Sequence, residues 1–355
     1  MIVRRLVAGV GLTLAAAGPA RAQQVSWKSL VTLYGDNTEF FTPYRIGETI
    51  LGGQFTTALV VKPAEKYSVE LGVFGDVRSG SDEFLDRVLP VISFRYRTPT
   101  SLGVLGTLET VRRHGYLEPL EVTTLELTRP IEHGLQWIER RRALDADIYL
   151  NWRAINKPNQ REVFDYGWVV RVRPIRQISL EHQLHGLHHG GQLYDAGVPV
   201  TNNLASGFGI TIADTIPKIG FGSLRVYQLR SSGNIDPAAP PGRPGHGHGT
   251  YVRGGVFPLK GVEVFSIIWR GRDFLAQEGD NNYNSVGHDP SFYRSRRKYL
   301  ELGIARRAKL DGGVEFDAEL RFHRVDDEKS IAIGTSKWEY SYRLIARAPF
   351  QFKLR

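Results

Sequence analysis

From Val314 to His323 the chain alternates: Val314, Phe316, Ala318, Leu320 and Phe322 are apolar, whereas Glu315, Asp317, Glu319, Arg321 and His323 ionise. Successive side chains of a strand point to opposite faces, so one face here is oily and the other charged. The same period recurs elsewhere. Tyr67, Val69, Leu71 and Val73 alternate with Ser68, Glu70 and Gly72, and Leu144, Ala146, Ile148, Leu150 and Trp152 alternate with Asp145, Asp147, Tyr149 and Asn151. Phe164, Tyr166, Trp168, Val170 and Val172 oppose Asp165, Gly167, Arg171 and Arg173, and Trp338, Tyr340, Tyr342 and Leu344 oppose Glu339, Ser341 and Arg343. These segments predict strands, and no helical period of any length competes with them. A soluble sheet and a membrane barrel share this alternation, so the connections must decide between them.

Seven connections read as short turns, at 63–66, 98–101, 132–134, 174–176, 217–220, 259–261 and 310–313. Between them lie longer polar stretches such as GDNTEFFTPYRIGE, SSGNIDPAAPPGRPGHGHGT and GDNNYNSVGHDPSFYR. Short and long connections alternate, which gives an even strand number with both termini on the short-turn side. That asymmetry belongs to outer-membrane barrels. The expected fold is all-β: a transmembrane, antiparallel, up-and-down β-barrel of about 16 strands, or about 14 if the poorly alternating LEVTTLELTRPIEHGLQWIERRR does not turn at 132–134. A secreted soluble β-protein is the alternative outside membranes.

The N-terminus supports export. Arg4 and Arg5 precede a short apolar stretch from Leu6 to Ala17, and Ala20-Arg21-Ala22 forms a cleavage site, so residues 1–22 read as a signal peptide and 23–355 as the barrel. Removing Arg4, Arg5 and Arg21 takes the formal charge from +9 to +6, an excess too modest to imply nucleic acid. The chain has no cysteine, so disulfides do not stabilise it. No later apolar run reaches the roughly 18 residues of a membrane helix, and entry into a bilayer would be by strands.

With the leader, the alternation and the closing stretch WEYSYRLIARAPFQFKLR in view, the chain resembles Gram-negative outer-membrane β-barrels, and porins in particular. The resemblance implies an integral outer-membrane location, a lipid bilayer partner, small polar solutes, and engagement of the barrel-assembly machinery through the C-terminal strand. It is compatible with a homo-trimer and implies no cofactor and no metal. Pro349 is expected to interrupt the last strand, and the chain ends in Arg355 instead of an aromatic residue. TEFFTPYRIGE reads as the first external loop with its flanking aromatic girdle.

With the apolar sets facing lipid, the lumen receives Arg95, Arg97, Asp145, Asp147, Arg171, Arg173, Glu315, Asp317, Glu319, Arg321 and Arg343. These residues either pair across strands or set the charge selectivity of a pore. The expected function is a channel for passive diffusion of small hydrophilic solutes, not an enzyme; the alternative is a barrel hydrolase. A hydrolase needs a nucleophile and a histidine base held by a third group, and the nearest sequence candidates are Ser285, His288 and Asp289 on one loop. His182, His185, His188 and His189 alternate between faces, and same-face residues four apart lie about 13 Å from each other, too far to share a metal.

Overall fold

The computed structural model describes residues 24–354, apart from 111, 195–196, 198, 218, 234–243, 290–291 and 327–336. The expected leader at 1–22, most of the proline-rich PAAPPGRPGHGHG stretch and Arg355 lie outside the described residues.

Sixteen antiparallel strands form one closed barrel. In chain order they are β1 (Gln24–Glu39), β2 (Glu48–Ala64), β3 (Tyr67–Arg78), β4 (Arg87–Arg97), β5 (Ser101–Thr107), β6 (His133–Arg140), β7 (Leu144–Ala154) and β8 (Glu162–Ile175). They continue with β9 (Ile178–Gly190), β10 (Thr201–Ile216), β11 (Gly220–Ser232), β12 (His246–Leu259), β13 (Val262–Arg272), β14 (Arg296–Lys309), β15 (Glu315–Val325) and β16 (Glu339–Lys353). Each strand pairs with its chain neighbours, and β1 pairs with β16, so no edge remains to be satisfied in lipid. β16 runs unbroken through Pro349, which sits opposite Leu30. The expected interruption does not occur, because a strand tolerates a residue without an N–H where the ladder does not call on that donor.

The alternation sorts as expected. Leu320, Phe322 and Leu344 lie exposed on the outer wall, while Glu301, Gln183 and His323 on the opposite parity are buried inside it. Seven short turns join the strands at one end and longer connections join them at the other. The third short turn is at 141–143, between β6 and β7, and not at 132–134.

Residues 108–132, the end of which the expected turn at 132–134 would have placed in the wall, instead enter the lumen. Leu117, Leu120 and Leu127 are buried there, and a single helical turn spans Leu125–Thr128. Arg112, Arg113 and His114 all adopt left-handed backbone conformations, which no strand can accommodate. Such geometry persists only where partners fix it. Arg113 is ion-paired with both Glu121 and Glu132, and His114 stacks on Tyr149 at 3.8 Å.

A second segment, residues 273–295 between β13 and β14, meets the first inside the barrel. The Val122 N–H donates to the Glu278 carbonyl and the Asp280 N–H to the Glu118 carbonyl. The loop after β1 also turns inward. Phe40 and Tyr44 are buried, Tyr44 packs against Phe292, and the Arg297 guanidinium lies 3.2 Å from the centre of the Tyr44 ring. These two aromatic residues seal the interior and do not form a girdle; Phe41 alone of the set is exposed.

Placing charge on the outer wall tests this sidedness. Leu320→Arg is expected to cost about 2 to 4 kcal/mol in urea unfolding from lipid vesicles, the range for a cation near the bilayer midplane. Glu319→Gln, on the inner face of the same strand, is expected to assemble with a smaller loss. Equal losses at the two positions would refute the assignment.

Candidate active site

Three adjacent strands bring one set of catalytic residue types together at the long-loop end of the lumen. Ser341 on β16, His323 on β15, and Tyr299 and Glu301 on β14 all have inward parity, and cross-strand pairing aligns them. The Ser341 hydroxyl lies 2.8 Å from His323 Nε2. On the other side of the ring, His323 Nδ1 lies 2.6 Å from the Tyr299 hydroxyl, which donates to Glu301 Oε2 at 2.6 Å. Glu301 Oε2 is itself 3.7 Å from His323 Nδ1.

This network selects one tautomer. Tyr299 spends its proton on Glu301, so its oxygen accepts from an Nδ1–H, which leaves Nε2 as the acceptor for the serine proton. The result is a nucleophile, a base and an orienting group in sequence. Phe40 covers the imidazole at 4.8 Å between ring centres, and His323 is only 3 % exposed.

The set borders a narrow cleft of about 20 Å³ that is also lined by Asp36, Arg45, Asp280, Arg321 and Arg343. Arg343 is ion-paired with Asp36, Arg45 with Asp280, and Arg321 with Glu301 at 3.0 Å and Glu319 at 2.7 Å. The cleft lining thus carries three arginines and four carboxylates, and each guanidinium is anchored by an acid.

The sequence candidates on the loop before β14 do not assemble. Ser285 is buried and its hydroxyl donates to the Ser295 carbonyl, while His288 is exposed and its backbone N–H donates to the Tyr44 carbonyl. Sequence reasoning missed Ser341 and His323 as a pair because 18 residues separate them and only the strand register joins them. The available signal was their shared inward parity near the same end of consecutive strands.

Most of the residues expected to line the lumen are held in ion pairs or hydrogen bonds, some within the wall and some with the inward segment. Arg95 pairs with Glu70 at 3.2 Å and with Glu109, Arg171 with Glu181, and Arg173 with Asp145. Asp317 accepts from Arg347 at 2.7 Å, and Asp147 accepts from Gln136 at 2.9 Å and lies 3.2 Å from His114. Glu315 sits opposite Arg347 in the register. Arg97 is exposed beside the turn that follows β4. Of the histidines, His185 faces inward 3.9 Å from Asp165, while His182 accepts from Trp168 at 2.9 Å.

Closed wall, inward parity and one-sided long loops define the class: a Gram-negative outer-membrane β-barrel. Among solved structures, the chain is similar to a loop-deleted OmpT of Vibrio cholerae, with 9% identity, 93% of this chain and 100% of that chain covered, and a TM-score of 0.54. A trimer form of OmpT from the same organism aligns with 9% identity, 93% and 100% coverage and a TM-score of 0.51. Pseudomonas aeruginosa OprD aligns at 11% identity over 92% of this chain and 95% of that one, with a TM-score of 0.49. At these identities the OmpT likeness is one of fold.

The chain belongs to the lipid A 3'-O-deacylase-type family, whose profile matches residues 17–355. No curated protein matches it closely enough to count as a relative. The family is an enzymatic one, so the expectation that this barrel is not an enzyme is overturned.

The inward segment carries a titrating group of its own. Burial lowers the basicity of His114, but hydrogen bonds to Asp147 and Glu132 outweigh it and push its pKa up to about 10. A raised folded-state value stabilises the fold fully below the unfolded value of about 6.5 and loses that contribution as pH climbs through 10. The stability difference between the wild type and His114→Gln is therefore expected to be largest below pH 6.5 and to shrink steadily toward pH 10 in urea titrations. A difference that stays flat across this window would show that His114 is not held protonated.

Proposed function

We propose that this protein is an outer-membrane hydrolase that removes an ester-linked acyl chain from a lipid A-type glycolipid, with Ser341 as nucleophile and His323 as base. The observation that carries the reading is the 2.8 Å contact between Ser341 Oγ and His323 Nε2, with the far ring nitrogen held by Tyr299 and Glu301. The family match supplies the acyl ester and the glycolipid.

The chemistry follows from the arrangement. Ser341 Oγ attacks the ester carbonyl while His323 Nε2 takes its proton, and Glu301, acting through Tyr299, stabilises the imidazolium that forms. The Arg321 and Arg343 guanidiniums in the same cleft favour the developing oxyanion. The ester C–O bond breaks and the glycolipid alcohol leaves with the proton from His323. Water, deprotonated by the same imidazole, then hydrolyses the acyl-serine and releases the fatty acid.

Purified barrel in detergent micelles, incubated with lipid A and analysed by mass spectrometry, is expected to yield a product lacking one acyl chain. Ser341→Ala and His323→Gln should each lower the rate by about 100-fold or more, and Tyr299→Phe by less, since it only positions the ring. Full activity in Ser341→Ala would exclude this serine. A wild-type barrel that leaves the ester intact would exclude the reaction.

A further inference from the structure

Toward the short-turn end from the Ser341 cleft, the lumen holds a cavity of about 290 Å³ lined by eight arginines and five carboxylates. Those five carboxylates already have partners. Glu118 and Glu319 bond Arg321, Glu121 bonds Arg113, Glu126 bonds Arg347, and Asp317 bonds Arg347 and lies 3.6 Å from Arg112. Acids just outside the lining take up further arginines: Glu132 pairs with Arg113, Glu263 with Arg253, Glu301 with Arg321 and Asp36 with Arg343.

The arginine left without a carboxylate stands in one register pair. Arg225 on β11 stands directly opposite Arg253 on β12 in the strand register, and both have inward parity. Like charges set directly across a sheet destabilise it unless something neutralises them. Arg253 is partly compensated by Glu263 at 3.1 Å and lies 4.2 Å over the Phe265 ring. Arg225 has no carboxylate partner among the described residues, and its buried Nε has no hydrogen-bond acceptor. A buried guanidinium nitrogen left in this state is costly in a protein wall.

We propose that Arg225 and Arg253 form a binding site for a phosphate group, reached from the short-turn side of the barrel. A divalent oxyanion matches the two opposed guanidiniums in charge, and its several acceptor oxygens match their forked donors. In an outer-membrane barrel the short-turn end faces the periplasm, so the group arrives either as free phosphate or on a small phosphorylated solute. Neither the hydrolytic serine nor its histidine lines this cavity; Arg321 and Arg343 line both it and the Ser341 cleft, whereas Arg225 and Arg253 line this cavity alone.

The test is a titration of the folded barrel in zwitterionic micelles with inorganic phosphate and, separately, with glycerol 3-phosphate, followed by calorimetry. Saturable binding is expected for the wild type. Arg225→Gln and Arg253→Gln should each weaken it by at least about tenfold, the loss expected for a charge-assisted hydrogen bond. Arg225→Lys, which keeps the charge but loses the fork, should bind between the two, and Arg97→Gln, at the exposed turn, should bind like the wild type. Folding of every variant is read from heat-modifiable gel migration and circular dichroism. Tighter binding of glycerol 3-phosphate supports a phosphorylated solute, and tighter binding of inorganic phosphate supports the free anion. Absence of saturable binding in the wild type, or equal binding by folded wild type and Arg225→Gln, overturns the proposal.

Discussion

Closing sixteen strands into one hydrogen-bonded wall commits every second side chain of every strand to an interior that must neutralise whatever it receives. Lipid outside admits no charge, so the ionisable half of each strand has nowhere else to go. Most of the lumen follows from that constraint. Where neighbouring strands carry opposite signs, as at Arg171 and Glu181 or Arg173 and Asp145, the wall neutralises itself. Elsewhere it is short of acid.

The inward segments supply that acid. Residues 108–132 bring Glu109 to Arg95, Glu118 to Arg321 and Glu126 to Arg347, and residues 273–295 bring Glu278 to Arg153 at 2.8 Å and Asp280 to Arg45. Buried pairs of this kind gain little over apolar packing, yet breaking one leaves an isolated buried charge and is strongly unfavourable. They fix position more than they add stability. By this route, arginines that would otherwise set the charge preference of an open pore become anchors for the segments that cross it.

The strand pattern was legible because it is local: period two, turn residues and the alternation of short and long connections lie within a few residues of each other. The turn expected at 132–134 was misplaced for the same reason. The segment before it is held by partners on distant strands, as with Gln54 donating to the Leu127 carbonyl and Gln183 accepting from the Leu117 N–H, and a local pattern does not display them. The candidate site was hidden similarly. His323 stood in the opening alternation and Ser341 in the closing strand, but their contact depends on register between strands, which a single sequence does not display.

Register also explains why the two ends of the lumen differ. Toward the long loops, β14, β15 and β16 align Glu301, His323 and Ser341 under the Phe40 ring, so each polar atom finds a partner and the serine gains a base. Toward the turns, β11 and β12 align Arg225 with Arg253, and neither inward segment brings a carboxylate to Arg225. The same wall geometry thus yields a satisfied network at one depth and an unsatisfied one at another. Satisfied networks orient a reacting group in advance, while an uncompensated charge in a water-accessible cavity favours whatever anion can enter and neutralise it.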